Sequence, residues 1–161
     1  MTTIKAMTRV FSITAATLFA AVALAQDQRP GYGTAVNLAT AKKMAAGALA
    51  ECQKNKWNVA VAVVDNHGLL LYFERLDDTQ TASSQIAVDK ARAAAMYRRP
   101  TRAFADVIAK TGPAVMTLPG VVASPGGLPI FAGGRVVGGI GISGVTGDQD
   151  EQCAKAGIAG M

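Results

Sequence analysis

Residues Val59–Val64 read Val-Ala-Val-Ala-Val-Val, an apolar run with no polar alternation, and no other stretch constrains the fold as much. A strand that shows neither face to water belongs in the middle of a sheet covered on both sides. Asp65-Asn66-His67-Gly68 follows, then Leu69–Phe73, so the run is the first arm of a hairpin whose tight turn draws positive φ from Gly68.

The flanks are helical. Asn37 is placed to cap a helix whose apolar positions Leu38, Ala41, Ala45, Ala48 and Cys52 recur at three- and four-residue steps, with Lys42, Lys43 and Lys54 on other faces. From Ser83 to Tyr97 the residues Ala87, Ala91, Ala94 and Ala95 make a face that lets another backbone come close, and Arg99-Pro100-Thr101 ends it. A short helix from Arg102 to Lys110 stops at Gly112-Pro113. After a Pro- and Gly-rich loop (Pro119 to Pro129), Ile130–Ala132 and Arg135–Ile142 form a second hairpin across Gly133-Gly134. The last helix opens at Asp148, with Glu151 three residues on as in a capping box, and closes near Gly160. Hairpins cannot build a doubly wound parallel sheet. The expected fold is therefore α/β of the α+β kind, a mainly antiparallel sheet of about five strands between helix layers, filling residues 37–161 as one domain.

Ahead of that domain, residues 1–25 have the three parts of a secretory signal: Lys5 and Arg9, an apolar run from Val10 to Leu24, and small residues at Ala23 and Ala25. Cleavage is expected before Gln26, leaving residues 26–36 as a flexible lead-in and the protein periplasmic or secreted, with no membrane attachment after processing. The absence of a twin arginine favours the general secretory route. Two of the sixteen basic residues and none of the eleven acidic ones leave with the signal, so the net charge of +5 falls by two. The remaining bases are scattered rather than striped with aromatics, which argues against a nucleic-acid partner. Cys52 and Cys153 stand near opposite ends of the domain in a compartment that permits disulfides. They are either a bridge, closing a loop of about 100 residues and adding up to ~4.7 kcal/mol in the chain-entropy model, or two small buried side chains.

Three features bear on chemistry. Gly139-Ile140-Gly141-Ile142-Ser143-Gly144 matches G-x-G-x-x-G letter for letter, but the chain ends before a second strand can follow and the next helix opens with Asp148, Asp150 and Glu151. Those charges repel phosphate, so the glycines are expected to serve close packing. Lys90 shares its helix stripe with Ser83, Ile86, Ala87, Ala94 and Tyr97. An ammonium on an inward face has to meet a carboxylate, a cavity or an anionic ligand, and Asp77 or Asp78 is the nearest partner in sequence. It is read either as a ligand-binding or acid/base group or as a structural ion pair. His67 is the sole histidine, which excludes a multi-histidine zinc site. One axial histidine suffices for haem iron, with Tyr97, Met96 and Met116 as other candidates, although a histidine in such a turn is also ordinary.

Taken in order, Val64-Asp65-x-x-Gly68, Arg75-Leu76-Asp77, Ser84-x-x-Ala87-x-x-Lys90-Ala91, Arg99-Pro100-Thr101, Gly126-Gly127-x-Pro129-Ile130 and Gly138–Gly144 followed by Asp148 and Asp150 resemble the GlcG/HbpS family, to which the C-terminal domain of PduO belongs. The likeness spans nearly all of residues 37–160. It implies an antiparallel sheet between helix layers, homo-oligomers from dimer to octamer, and haem or a similar small ligand held in a groove between subunits. Carried onto this chain, Arg75, Asp77, Lys90, Thr101, Gly126 and Gly127 would surround that groove; haem-ligating positions differ among members, so His67 on the metal and Tyr97 as a ligand contact rest on the residues themselves and not on the resemblance. Asp78-Thr79 departs from the small residue usual after the family's Arg-x-Asp element and changes the groove's charge. Two functions are thereby expected: an exported haem- or ligand-binding protein, or a cofactor-independent enzyme on a small organic acid or aromatic, with Lys90 as acid/base and Asp77 orienting it.

Overall fold

A computed structural model describes residues 29–161, so the expected export signal lies outside the described residues. In chain order the elements are α1 (Leu38–Lys54), β1 (Ala60–Asp65), β2 (Leu70–Arg75), α2 (Ser83–Tyr97), α3 (Arg102–Thr111), a 3₁₀ turn (Pro113–Thr117), β3 (Gly127–Ala132), β4 (Arg135–Ser143) and α4 (Gly147–Ala159). The two hairpins make a single antiparallel sheet in the order β2-β1-β4-β3. That is four strands where about five were expected. Among the described residues the N-terminal segment adds no fifth strand, only a one-residue parallel bridge from Tyr32 to Val136.

Both faces of β1 are buried, as its composition requires. Val59, Val61 and Val63 look toward Met44, Ala45 and Ala48 of α1 and toward Cys153 and Ala154 of α4, together with Ile140 and Ile142. Ala60, Ala62 and Val64 look the other way, onto Ala87, Ala91 and Ala95 of α2. The glycine-rich strand explains the tightness of that second layer: a Cβ on Gly139 or Gly141 would run into the carbonyl oxygen of Ala91 or Ala87. The dinucleotide-like letters are thus a packing surface for a helix.

Local signals set the ends. Asn37 caps α1, its Oδ1 accepting from Thr40 N at 2.9 Å. For α4 the cap is Thr146, with Gln149 reciprocating, rather than Asp148 with Glu151; those two acids instead receive the Arg102 guanidinium. Cys52 and Cys153 form a disulfide, Cα to Cα 5.7 Å, that joins α1 to α4 beneath the sheet. Residues expected as a flexible lead-in lie along β4: Val136 N donates to Gly31 O, Gly33 N to Val136 O and Val36 N to Val137 O. They occupy the side of β4 that β1 leaves after Asp65. Among the described residues no helix is long and apolar enough to cross a membrane.

Candidate functional site

Four of the residues expected around a ligand do converge, but in the interior. Lys90 is 1% exposed and Asp150 2% exposed. The Lys90 ammonium donates to Asp150 Oδ2 at 2.7 Å and to Ile142 O at 3.0 Å. Its partner is therefore Asp150, across the sheet's end, and not Asp77 or Asp78. Gly126 and Gly127 close over this pair: Gly126 has φ +115° and a Cβ there would stand 2.7 Å from Asp150 Cβ, while one on Gly127 would strike the Lys90 carbonyl. Thr101 Oγ1 donates to Ser124 O at 2.6 Å and accepts from Gly127 N at 3.0 Å. Every polar group of this knot is used within the chain. Burial raises the Asp150 carboxyl above its ordinary value, while the Lys90 ammonium and the backbone N–H groups of Val145 and Gly144 pull it back.

The other expected residues are dispersed. Arg75 is exposed at the end of β2, opposite Ala60. Asp77 is exposed and lines a cleft with Trp57, Lys56, Leu76 and Asp78, a different place from the Lys90 knot. Tyr97 is committed: its hydroxyl donates to Pro119 O at 2.6 Å and its ring meets Phe104 edge-on. The acid/base arrangement of Lys90 with Asp77 is not assembled.

His67 has a different setting. Asp65 Oδ1 accepts from His67 N at 2.8 Å and from Leu69 N at 2.9 Å, so the turn's carboxylate fixes the loop that carries the imidazole. The ring shares a pocket of about 300 Å³ with Tyr32, Asn66 and Met96. Met96 also lines a second pocket of about 300 Å³, with Asp89, Arg92, Gly120, Val121 and Val122. The two pockets have Met96 as a common wall, and the trough they make is within the size range of small-molecule sites. Gly68 has φ +83°, and a Cβ on it would stand 3.2 Å from Met96 Sδ, so this glycine both makes the turn and seats the sulfur. Arg92 Nε donates to Gly68 O at 3.1 Å, tying α2 to the turn.

Asn66 was not singled out from the sequence. It is 9% exposed; its Nδ2 donates to Gly33 O at 2.7 Å, which fixes the amide's orientation and leaves Oδ1 buried without a partner. Tyr32, also missed, donates to Met96 O at 2.8 Å, and the Arg98 guanidinium lies 5.3 Å over its ring. Neither position carries a sequence signal, because both depend on the N-terminal segment folding back onto β4. The donor set suits a porphyrin iron: one imidazole and one thioether, with apolar Val121 and Val122 further along. Among the described residues no three His, Cys, Asp or Glu side chains converge for a bare metal ion.

Comparison with known proteins agrees with the architecture. The profile of a family described as haem degrading protein, HbpS-like, matches residues 36–159. The GlcG protein of Escherichia coli K12 is 39% identical over 93 residues, covering 58% of this chain and 69% of GlcG. Among solved structures, HbpS superposes with a TM-score of 0.74 at 36% identity over 84% of this chain and 96% of that one. A PduOC–haem complex superposes with a TM-score of 0.74 at 27% identity, over 80% and 96%.

Proposed function

This chain belongs to the HbpS-like family, and from that premise we propose that it is an exported haem-binding protein that holds the ring in the trough beneath Met96, with His67 on the iron. The observation that carries this reading is the meeting of the only histidine with Met96 in one pocket. The relative in complex with haem supports the ligand. Haem, when bound, would supply an iron centre for the imidazole of His67 to ligate. The chain's own residues do the rest: Asp65 holds the turn, His67 presents a nitrogen, and Val121 and Val122 take apolar ring edge. Arg92, which lines the second pocket, offers a cation to a propionate.

One chain covers only part of a ring that large, since Met96 and Tyr32 stay substantially exposed. A second copy closing over the trough completes the site, so the ligand lies between subunits of a homo-oligomer, dimer to octamer. Export is supported by the Cys52–Cys153 bridge, a bond that persists in oxidising compartments. The enzyme reading through Lys90 loses its support, because the ammonium is enclosed and Asp77 lies in another cleft. The test is a haemin titration of the protein lacking residues 1–25, with size-exclusion mass followed in parallel. A saturable Soret band that weakens or shifts in His67→Ala is expected. Absence of saturable binding by the wild-type protein overturns the proposal.

A further inference from the structure

Resting on the haem reading, we infer that Met96 Sδ is the second axial ligand, so that the iron is held between the β1–β2 turn and the last turn of α2 with both axial positions filled. The neighbouring candidates are otherwise occupied or elsewhere: the Tyr97 hydroxyl is bonded to Pro119 O, and Met116 lies on the 3₁₀ turn after α3. Met96 is 53% exposed, yet its backbone is held, with its carbonyl accepting from Tyr32 Oη and the helix ending just beyond it at the left-handed Arg98. An exposed thioether on a pinned backbone contributes little to the core. It sits instead against Gly68, next in sequence to the only histidine.

The two pockets say how a flat ring enters. Met96 lines both, and its unbranched side chain turns about three bonds. Rotation of the thioether off Gly68 would open the His67 pocket and leave the sulfur free to reach the iron. Such an arrangement leaves no free position on the iron. The bound state is then suited to holding or handing over haem, because any small molecule must first displace the thioether. His/Met ligation also raises the reduction potential of the iron relative to a site that lacks the thioether.

The experiment loads the processed protein with haemin and compares wild type, Met96→Leu and Met96→His by absorption spectroscopy, electron paramagnetic resonance and cyanide titration. A six-coordinate low-spin wild type is expected. If the thioether is bound nine-tenths of the time, cyanide affinity is lowered about tenfold, and Met96→Leu recovers that factor while turning the iron high-spin. Met96→His restores the low-spin state without sulfur. Should Met96→Leu shed haem altogether, recovery of low-spin haem by Met96→His supports ligation and its failure counts against it. A high-spin wild type, or spectra and cyanide affinity unchanged in Met96→Leu, overturns Met96 as ligand and leaves haem binding intact. No saturable loading of the wild type overturns the haem reading itself.

Discussion

Substitution of Asp150 by Asn leaves the Lys90 ammonium in the interior without a counter-charge, facing only neutral acceptors, Ile142 O and the introduced amide oxygen. Both partners are almost wholly buried, so the ordinary discount for solvent screening does not apply. Removing one partner of a buried pair costs about 3–5 kcal/mol, because the survivor keeps its desolvation penalty. For a domain of this size each kcal/mol shifts Tm by roughly 3–5 °C, so Asp150→Asn should melt about 10–20 °C below wild type. Lys90→Met should fall less far, since Asp150 sheds its charge by taking a proton. The double variant Lys90→Met, Asp150→Leu should recover most of the loss, the pair being replaced by apolar volume. Thermal and urea unfolding of the four proteins followed by circular dichroism measure the cycle. A loss below about 1 kcal/mol in Asp150→Asn, or a double variant as unstable as the sum of the singles, would refute the claim that the two charges are mutually dependent.

Further expectations follow from the same geometry. Gly141→Ala drives a Cβ into the Ala87 carbonyl and forces α2 off the sheet, an overpacking cost of about 1–3 kcal/mol or more, read by urea unfolding. Reduction of the Cys52–Cys153 bridge, which spans 101 residues, should remove about 2–4 kcal/mol; an unchanged midpoint in reductant would contradict it. Burial alone would raise the Glu151 carboxyl, but Lys155 and Arg102 together hold it below its ordinary 4.5. Its contribution is therefore complete above that value and lost as pH falls through the lower folded value, so acid unfolding should be less steep in Glu151→Gln. Asp150, raised by burial, works in the opposite sense, which is why the comparison is with that single variant.

Much of the fold was legible because it is written in short-range patterns. The unbroken apolar run of β1, the Gly133-Gly134 turn and the alanine face of α2 each state their own geometry, and together they specify a doubly covered antiparallel sheet. Lys90 was equally legible as an ammonium pointing inward. Its partner was not, because the acids expected to meet it, Asp77 and Asp78 just ahead of the helix, line a cleft elsewhere. The signal for Asp150 was nonetheless present: it lies on the same α4 stripe as Cys153, Ala154 and Gly157, all of them buried. Two charges on inward stripes of different helices can satisfy each other, and pairing them on that ground would have found the contact. The rim of the trough left no such trace. Tyr32 and Asn66 acquire their roles only from residues 31–36 returning to β4, a long-range contact with no periodicity of its own.

The same helix carries the enclosed ammonium and the exposed sulfur, and this joins stability to recognition. Lys90 clamps the middle of α2 to β4 and α4. Tyr32 holds its last turn to the N-terminal segment, and Arg92, a turn earlier, ties it to the β1–β2 turn. The backbone bearing Met96 is thus settled before any ligand arrives. What remains to be ordered on binding is the Met96 side chain and the His67 ring, a cost of about 0.5–1.5 kcal/mol for each immobilised side chain. A charged residue on an inward face looks, in one dimension, like the group that should greet an anion. In three it secures the platform, and the proposed contact with iron falls to a surface methionine.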